Sequence, residues 1–267
     1  MTLIDRHRPE IASKHVVARD FGAASDSYDC AARLQRHMGE RLLAQLPRTL
    51  SASKVLDLGC GTGQFVPALS ERYPQARVTG VDLSAAMVAH ARRQRAGGYQ
   101  WLVADAERLP LASGSVDAVF SNLMIQWCTD PRPVLAECLR VLRPGGVLVC
   151  STLVQGTLRE LAAAWQQVDP GVDHVNRFEA WPALLEQVMA VAPQAAVEQE
   201  TVTLPYESPM QLLAELKSLG AQYKGDARRK TVTAPGRLRR LAQQYPRRDG
   251  EVLASYEAAY ITYRRPD

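Results

Sequence analysis

Two acids and three glycines carry the first chemical signal in the chain. Residues 55–64 read VLDLGCGTGQ, so Asp57 is followed by glycines at alternate positions, Gly59, Gly61 and Gly63. A residue without a Cβ lets the backbone pass close to a ligand or to another segment. A dinucleotide-binding loop would read G-x-G-x-x-G, with a pyrophosphate on the following helix N-terminus, and a P-loop would carry Lys and Ser or Thr after its last glycine. Neither pattern is present: Gln64 and Phe65 follow Gly63, and the loop holds no Lys or Arg. Asp57 would repel a phosphate and attract a positive group such as an ammonium or a sulfonium. Asp82 lies 19 residues beyond Gly63, the placing of an acid that accepts hydrogen bonds from ribose hydroxyls.

These groups can cooperate only if strands end beside one another. KVLDL, RVTGVDL, QWLVAD, VDAVFSN and VLVCSTL read as five strands. Helical patterns separate them: Gln64 to Arg72, a helix N-capped by Ser84, and VLAECLRVL running into Pro-Gly-Gly. Strand–helix alternation with units of this length predicts a parallel sheet covered on both faces. Upstream, Leu34, Met38, Leu42, Leu43 and Leu46 fall at helical spacing over residues 30–46. Downstream, TLRELAAAWQQV and MQLLAELKSLG read as amphipathic helices, the second ending at Gly220. The alternation in VEQETVTLPY and SYEAAYITYR predicts two late strands forming an antiparallel edge. The fold class expected is therefore α/β: a doubly wound, mostly parallel, seven-stranded Rossmann-like sheet. Residues 1–50 are expected to form an N-terminal helical lid on a 51–267 catalytic domain, with a cap inserted at about 169–250.

Composition narrows the class further. A chain of 267 residues, 46% hydrophobic and 22% charged, can bury a substantial core. Its first residues, MTLIDRHRPE, have no apolar run, so no signal peptide is expected, and no stretch approaches the ~18 residues of a membrane span. Five cysteines without C-x-x-C spacing argue against a disulfide framework and against a zinc site, and fit a cytoplasmic protein. The net charge of +4 is concentrated: residues 224–248 hold nine basic side chains against one acid, Asp226. Such a field can steer an acidic partner. Nucleic acid is not expected, because Tyr245 is the one aromatic within that run.

A cationic group at Asp57 and a ribose at Asp82 together describe S-adenosylmethionine, and the chain closely resembles the class I methyltransferases, whose first motif is Asp57-Leu58-Gly59-Cys60-Gly61-Thr62-Gly63 here. The resemblance implies that Asp57, Gly59, Cys60, Gly61 and Gly63 line the methionine end, and that Asp82, Leu83 and Met87 follow at the ribose. It implies further that Asp105-Ala106 meets the adenine, that Asn122 lies near the transferred methyl, and that Gln126 also belongs to the cofactor site. No metal is implied.

The similarity extends beyond that core. Phe21-Gly22-Ala23-Ala24, Ser27-Tyr28-Asp29, Gln126-Trp127, Trp165 and His174-Val175-Asn176-Arg177-Phe178 resemble the malonyl-acyl-carrier-protein O-methyltransferases of biotin synthesis. That resemblance implies methyl transfer to the free carboxylate of malonyl-acyl carrier protein, giving the ester that primes pimeloyl and biotin synthesis. Tyr28 would close a lid and Trp127 would line the pocket. Arg177 is the expected partner of the substrate carboxylate, since a guanidinium matches that geometry. The basic stretch Lys224 to Arg248 is expected to dock the carrier protein. Two departures fall in the carrier-facing half: Lys224-Gly225-Asp226-Ala227-Arg228 replaces a usual Gly-Arg pair, and the C-terminal Leu-Thr-Tyr is missing. Two other readings stay open from sequence, a methyltransferase acting on a quinone-pathway carbon or a small free acid, and a non-catalytic cofactor-binding module.

Overall fold

Strand β1 (Lys54–Leu58) is buried from its second residue onward, and its side chains divide between two cores. Val55 packs into one apolar cluster while Leu56 and Leu58 pack into another, as the period of two in a strand requires. The same division recurs in β4 (Val116–Asn122), where Ala118 and Phe120 face one side and Val119 the other. Both faces of the sheet are therefore covered. The computed structural model describes residues 13–223 and 234–267. Lys224 to Lys230, the first part of the basic stretch, and the first twelve residues lie outside the described residues.

The remaining sheet elements are β2 (Arg77–Asp82), β3 (Gln100–Val103), β5 (Leu142–Leu153), β6 (Ala196–Tyr206), β7 (Arg247–Arg248) and β8 (Glu251–Arg264). Their order is β3-β2-β1-β4-β5-β8-β6, with the two-residue β7 paired on β8. All pairings among β1 to β5 are parallel, and β8 runs antiparallel to both β5 and β6. The expected seven-stranded sheet with an antiparallel edge is thus present, with β7 added as a short hairpin partner. The carboxyl ends of β1, β2, β3 and β4 lie along one edge, where a doubly wound sheet binds its ligands.

Three helices precede the sheet: α1 (Lys14–Ala23), α2 (Ser25–Ala31) and α3 (Arg33–Gln45). The helix expected over 30–46 corresponds to α3, which buries Leu34, Met38 and Leu42. Helices α4 (Val66–Arg72), α5 (Ala85–Gln94) and α6 (Arg132–Val141) are the crossovers. The Ser84 hydroxyl caps α5 by accepting from Met87 N, as expected. Later come α7 (Arg159–Val168), α8 (Trp181–Val191), α9 (Pro209–Ser218) and α10 (Pro235–Gln244). Within 169–250, the span expected as a cap, β6 belongs to the sheet and α8 packs beside α6, whereas α9 meets the N-terminal helix α2. Ser27 Oγ donates to Ser218 O at 2.8 Å across that contact. Among the described residues, no helix is long and apolar enough to cross a membrane.

Candidate active site

The glycine loop is folded back onto the second strand by its own backbone. Gly59 N and Cys60 N both donate to Val81 O, at 2.8 and 3.0 Å. Gly61 N then donates to Asp82 Oδ2 at 2.9 Å, and Ser84 N donates to Asp82 Oδ1 at 2.8 Å. One carboxylate thereby holds the loop and the start of α5 in register. Burial pushes the Asp82 carboxyl up, partly offset by the N–H groups of Ser84, Gly61 and Leu83.

Beside this loop opens a cavity of about 610 Å³. Its walls include Gly59, Gly61, Asp82, Leu83 and Met87 from the first two strand–helix turns. Asp105 and Ala106 follow β3, Asn122 and Trp127 follow β4, and Tyr28 comes from α2. The tertiary structure thus gathers ten of the expected site residues around one space. Asp57, Cys60, Gly63, Gln126 and Arg177 are not on its walls.

Each of those five has a physical reason. Asp57 lies just behind the wall, 3% exposed, and burial, with the neighbouring Asp82 charge, pushes its carboxyl up to about 8. Cys60 is buried, and burial holds its thiol well above the ordinary range, so the thiol stays protonated. Gly63 has φ +71°, and a Cβ there would lie 2.3 Å from Trp101 Cη2. Its smallness makes room for that indole. Gln126, in the short 3-10 turn Ile125–Trp127, faces a second and smaller cavity. Arg177 is exposed and donates to Asp173 Oδ2 through Nε and Nη2, at 3.0 and 2.7 Å, lining neither cavity.

The segment containing Arg177 is a strap. His174 stacks on Trp165 with ring centroids 3.9 Å apart and lies 3.0 Å from Asp169 Oδ2. Asn176 Nδ2 donates to Ala221 O and Gln222 O, both at 3.3 Å, while Asn176 and Phe178 wall the smaller cavity. The spacing of this motif alternates between outward and inward side chains, which its residue types alone did not reveal.

The N-terminal helices are tied down by polar contacts that the sequence did not signal. Lys14 Nζ bonds Asp105 Oδ2 and reaches Glu107 Oε2 at 3.1 Å. Burial alone would raise the Asp105 carboxyl, but the Lys14 ammonium and the Glu107 N–H hold it below its usual range. Thr62 Oγ1 donates to Asp29 Oδ1 at 2.5 Å, and Arg95 pairs with the other Asp29 oxygen while donating to Thr62 O at 3.1 Å. Phe21 adds an edge-on contact to Trp127, with centroids 5.1 Å apart.

The buried Asp57 has a measurable consequence. A ligand bearing a positive group favours its ionised form, so below pH 8 binding must first expel a proton. Affinity is expected to rise from pH 6 to 7.5 by up to about tenfold per unit, since one unit of pKa is ~1.4 kcal/mol. Calorimetry in buffers of different ionisation enthalpy would register the released proton. Asp57→Asn should flatten the slope and lower affinity; a slope unchanged in that variant would assign it to another group.

Class I methyltransferases are the proteins whose cofactor lies at this edge of a sheet wound in this order, and the family model described as a methyltransferase domain matches residues 56–150, from β1 into β5. Over nearly its full length the chain is 41% identical to a malonyl-[acyl-carrier protein] O-methyltransferase of Serratia marcescens, covering 96% of this chain and 98% of that protein. It is also 41% identical to the biotin biosynthesis bifunctional protein BioHC of Cellvibrio japonicus, over 95% of this chain and 50% of that longer one. The crystal structure of the YcgJ protein from Bacillus subtilis shares the fold, with a TM-score of 0.60 at 16% identity, covering 87% of this chain and 99% of that one. The chain belongs to the malonyl-[acyl-carrier protein] O-methyltransferase family.

Proposed function

We propose that this protein transfers the methyl group of S-adenosylmethionine to the free carboxylate of a malonyl group carried on acyl carrier protein, giving the methyl ester used in biotin synthesis. The observation that carries this reading is the 41% identity across 96% of the chain to a malonyl-[acyl-carrier protein] O-methyltransferase. The cavity fits the cofactor on its own terms. Asp82 offers carboxylate oxygens where a ribose would lie, and Asp105 an acceptor for an amino group. Gly61 leaves open space, with nothing within 4 Å of a Cβ built there.

When bound, the cofactor supplies an electrophilic methyl on a cationic sulfur. The protein's part is binding, orientation and exclusion of water. Asp82 would hold the ribose hydroxyls, and Asp105 would exchange its Lys14 contact for an adenine amino group. Phe21, Tyr28 and Trp127 form an aromatic cover that keeps solvent from the reacting atoms. No general base is required, because a carboxylic acid with a pKa near ~4 is already ionised at neutral pH. Positioning can supply about 7–11 kcal/mol of the barrier at best, and desolvation strengthens the anionic nucleophile further.

The carrier protein would meet the exposed basic side chains of α10 and the turn after it. Arg239, Arg240, Arg247 and Arg248 are all exposed among the described residues. Replacing Arg239 and Arg240 by Glu is expected to raise KM for malonyl-acyl carrier protein at least tenfold at low salt, and to leave the rate with a small malonyl thioester unchanged. The wild-type KM should itself climb with ionic strength, as screening at ~0.15 M salt limits exposed charges to about 8 Å. An unaltered KM in the double variant would place the carrier elsewhere.

The direct test of the activity is the mass of malonyl-acyl carrier protein after incubation with enzyme and S-adenosylmethionine. A carrier-bound gain of one methylene equivalent is the expected result. No gain, with cofactor still bound, would overturn the assignment.

A further inference from the structure

Tyr28 lines both the larger cavity and the smaller one beside it. It rides on α2, a helix of seven residues without a side-chain hydrogen bond capping its N-terminus. So short a helix has little stability of its own. What fixes Tyr28 is therefore the set of contacts that α2 makes with other elements. Ser27 Oγ donates to Ser218 O at 2.8 Å, Asp26 Oδ1 lies 3.1 Å from His90 Nδ1, and Arg36 Nη1 donates to Asp29 O at 2.7 Å. The tie made by the Asp29 carboxylate differs from these, because it ends on the glycine loop.

That tie closes into a ring. Thr62 Oγ1 donates to Asp29 Oδ1 at 2.5 Å, Arg95 Nη2 pairs with Asp29 Oδ2, and Arg95 Nε donates to Thr62 O at 3.1 Å. Each member is held by both of the others. Thr62 is 1% exposed and sits between Gly61, which borders the ligand space, and Gly63, which abuts Trp101. Arg95 stands at the C-terminal end of α5, the helix whose start is tied to Asp82 through Ser84 N. Asp29 is the chain neighbour of Tyr28. The ring thus joins the helix that carries Tyr28 to the loop that borders the ligand. Its charged side chains keep access to water, Asp29 being 38% and Arg95 22% exposed. Ion pairs so placed contribute little to global stability. Holding the fold together is not an adequate account of this one.

We infer that Asp29 is a positioning residue for methyl transfer: through Thr62 and Arg95 it sets Tyr28 in register with the glycine loop, coupling a ligand at Gly61 to the aromatic cover. The inference rests on the cofactor reading above and adds to it a residue that lines neither cavity. A carboxylate suits the task because its two oxygens accept from two different donors, a hydroxyl and a guanidinium. An amide in its place keeps one acceptor and sets an NH2 against the other donor. No proton moves in this role.

The test measures S-adenosylhomocysteine release by stopped flow in wild type, Asp29→Asn, Tyr28→Ala and the double variant, with thermal denaturation of each. Asp29→Asn is expected to release the ligand at least tenfold faster and to lower kcat at least tenfold, with KM for malonyl-acyl carrier protein within twofold. Its melting temperature should stay within about 2 °C of wild type. In the Tyr28→Ala background the same substitution should change release less than twofold, because Asp29 acts through Tyr28. Thr62→Val keeps the side chain's shape, removes the hydroxyl and should also speed release, which keeps the idea testable if Asp29→Asn folds poorly. Unchanged release in Thr62→Val, or an Asp29→Asn effect of full size without Tyr28, would overturn the inference. A larger thermal shift in Asp29→Asn and Thr62→Val alike would make the ring a structural tie only, and would overturn it too. A wild type that does not bind S-adenosylhomocysteine would instead defeat the cofactor reading itself.

Discussion

Replacing Asp82 by Ala is expected to lower the affinity for S-adenosylmethionine by a factor of ~10²–10⁴. In the structure the two carboxylate oxygens are already engaged from the protein side, by Gly61 N at 2.9 Å and Ser84 N at 2.8 Å. Each oxygen retains lone pairs toward the cavity. Hydrogen bonds to a charged group contribute about 1.5–3 kcal/mol each, so the loss of two ribose contacts amounts to ~3–6 kcal/mol, and each ~1.4 kcal/mol is a decade of Kd. Part of the loss would come from the loop itself, since Gly61 N and Ser84 N would be left without an acceptor. Asp82→Asn should fall between Asp82→Ala and wild type: it removes the charge, keeps an acceptor for one of these N–H groups and sets an amide NH2 against the other. Calorimetric Kd values would decide, and an affinity within tenfold of wild type in Asp82→Ala would remove Asp82 from the ligand's reach.

The second large effect distinguishes two glycines of one motif. Gly63→Ala is expected to cost about 2–4 kcal/mol of stability. Left-handed backbone at φ +71° adds roughly 1 kcal/mol, and overpacking against Trp101, whose Cη2 would lie 2.3 Å from the new Cβ, adds ~1–3 kcal/mol. At about 2–4 °C per kcal/mol for a chain of this size, thermal denaturation should shift down by several degrees or more. Gly61→Ala should behave differently. A Cβ there meets nothing within 4 Å, so only the backbone strain at φ +53° remains. Its melting temperature should fall little, while cofactor affinity should fall at least tenfold, because Gly61 is on the cavity wall and Gly63 is not. Equal thermal shifts in the two variants would contradict this division of labour.

The alternate-glycine motif therefore passes close to different things at each position. Gly59 approaches the Met124 side chain, Gly61 faces the ligand space, and Gly63 abuts an indole from β3. Sequence spacing showed that close approaches were required, but not to what, because Met124 and Trp101 arrive from segments far later in the chain.

Local pattern determined a great deal by itself. Short, largely apolar runs marked β1, β2 and β4, apolar spacing marked α3, α6, α7 and α9, and Ser84 announced the start of α5 through its capping bond to Met87 N. These signals are legible because strand and helix periods act over a few neighbours. The polar residues at strand ends were legible for a similar reason: a parallel sheet brings every carboxyl end to one edge, so Asp82, Asp105 and Asn122 needed only the strand order to meet. Helices α1, α2 and α8 were not foreseen individually, since short or nearly uniform segments carry little periodic signal and take their helicity from packing, and α10 was read only as part of the basic stretch. Only tertiary structure decided which way Gln126 and Arg177 face, that Lys14 lies on Asp105, and that Leu123 and Leu158, both at positive φ, line the smaller cavity. Side-chain direction at those positions is set by contacts between segments far apart in sequence, and one residue's shift along the strap from Asn176 to Arg177 exchanges the cavity for solvent.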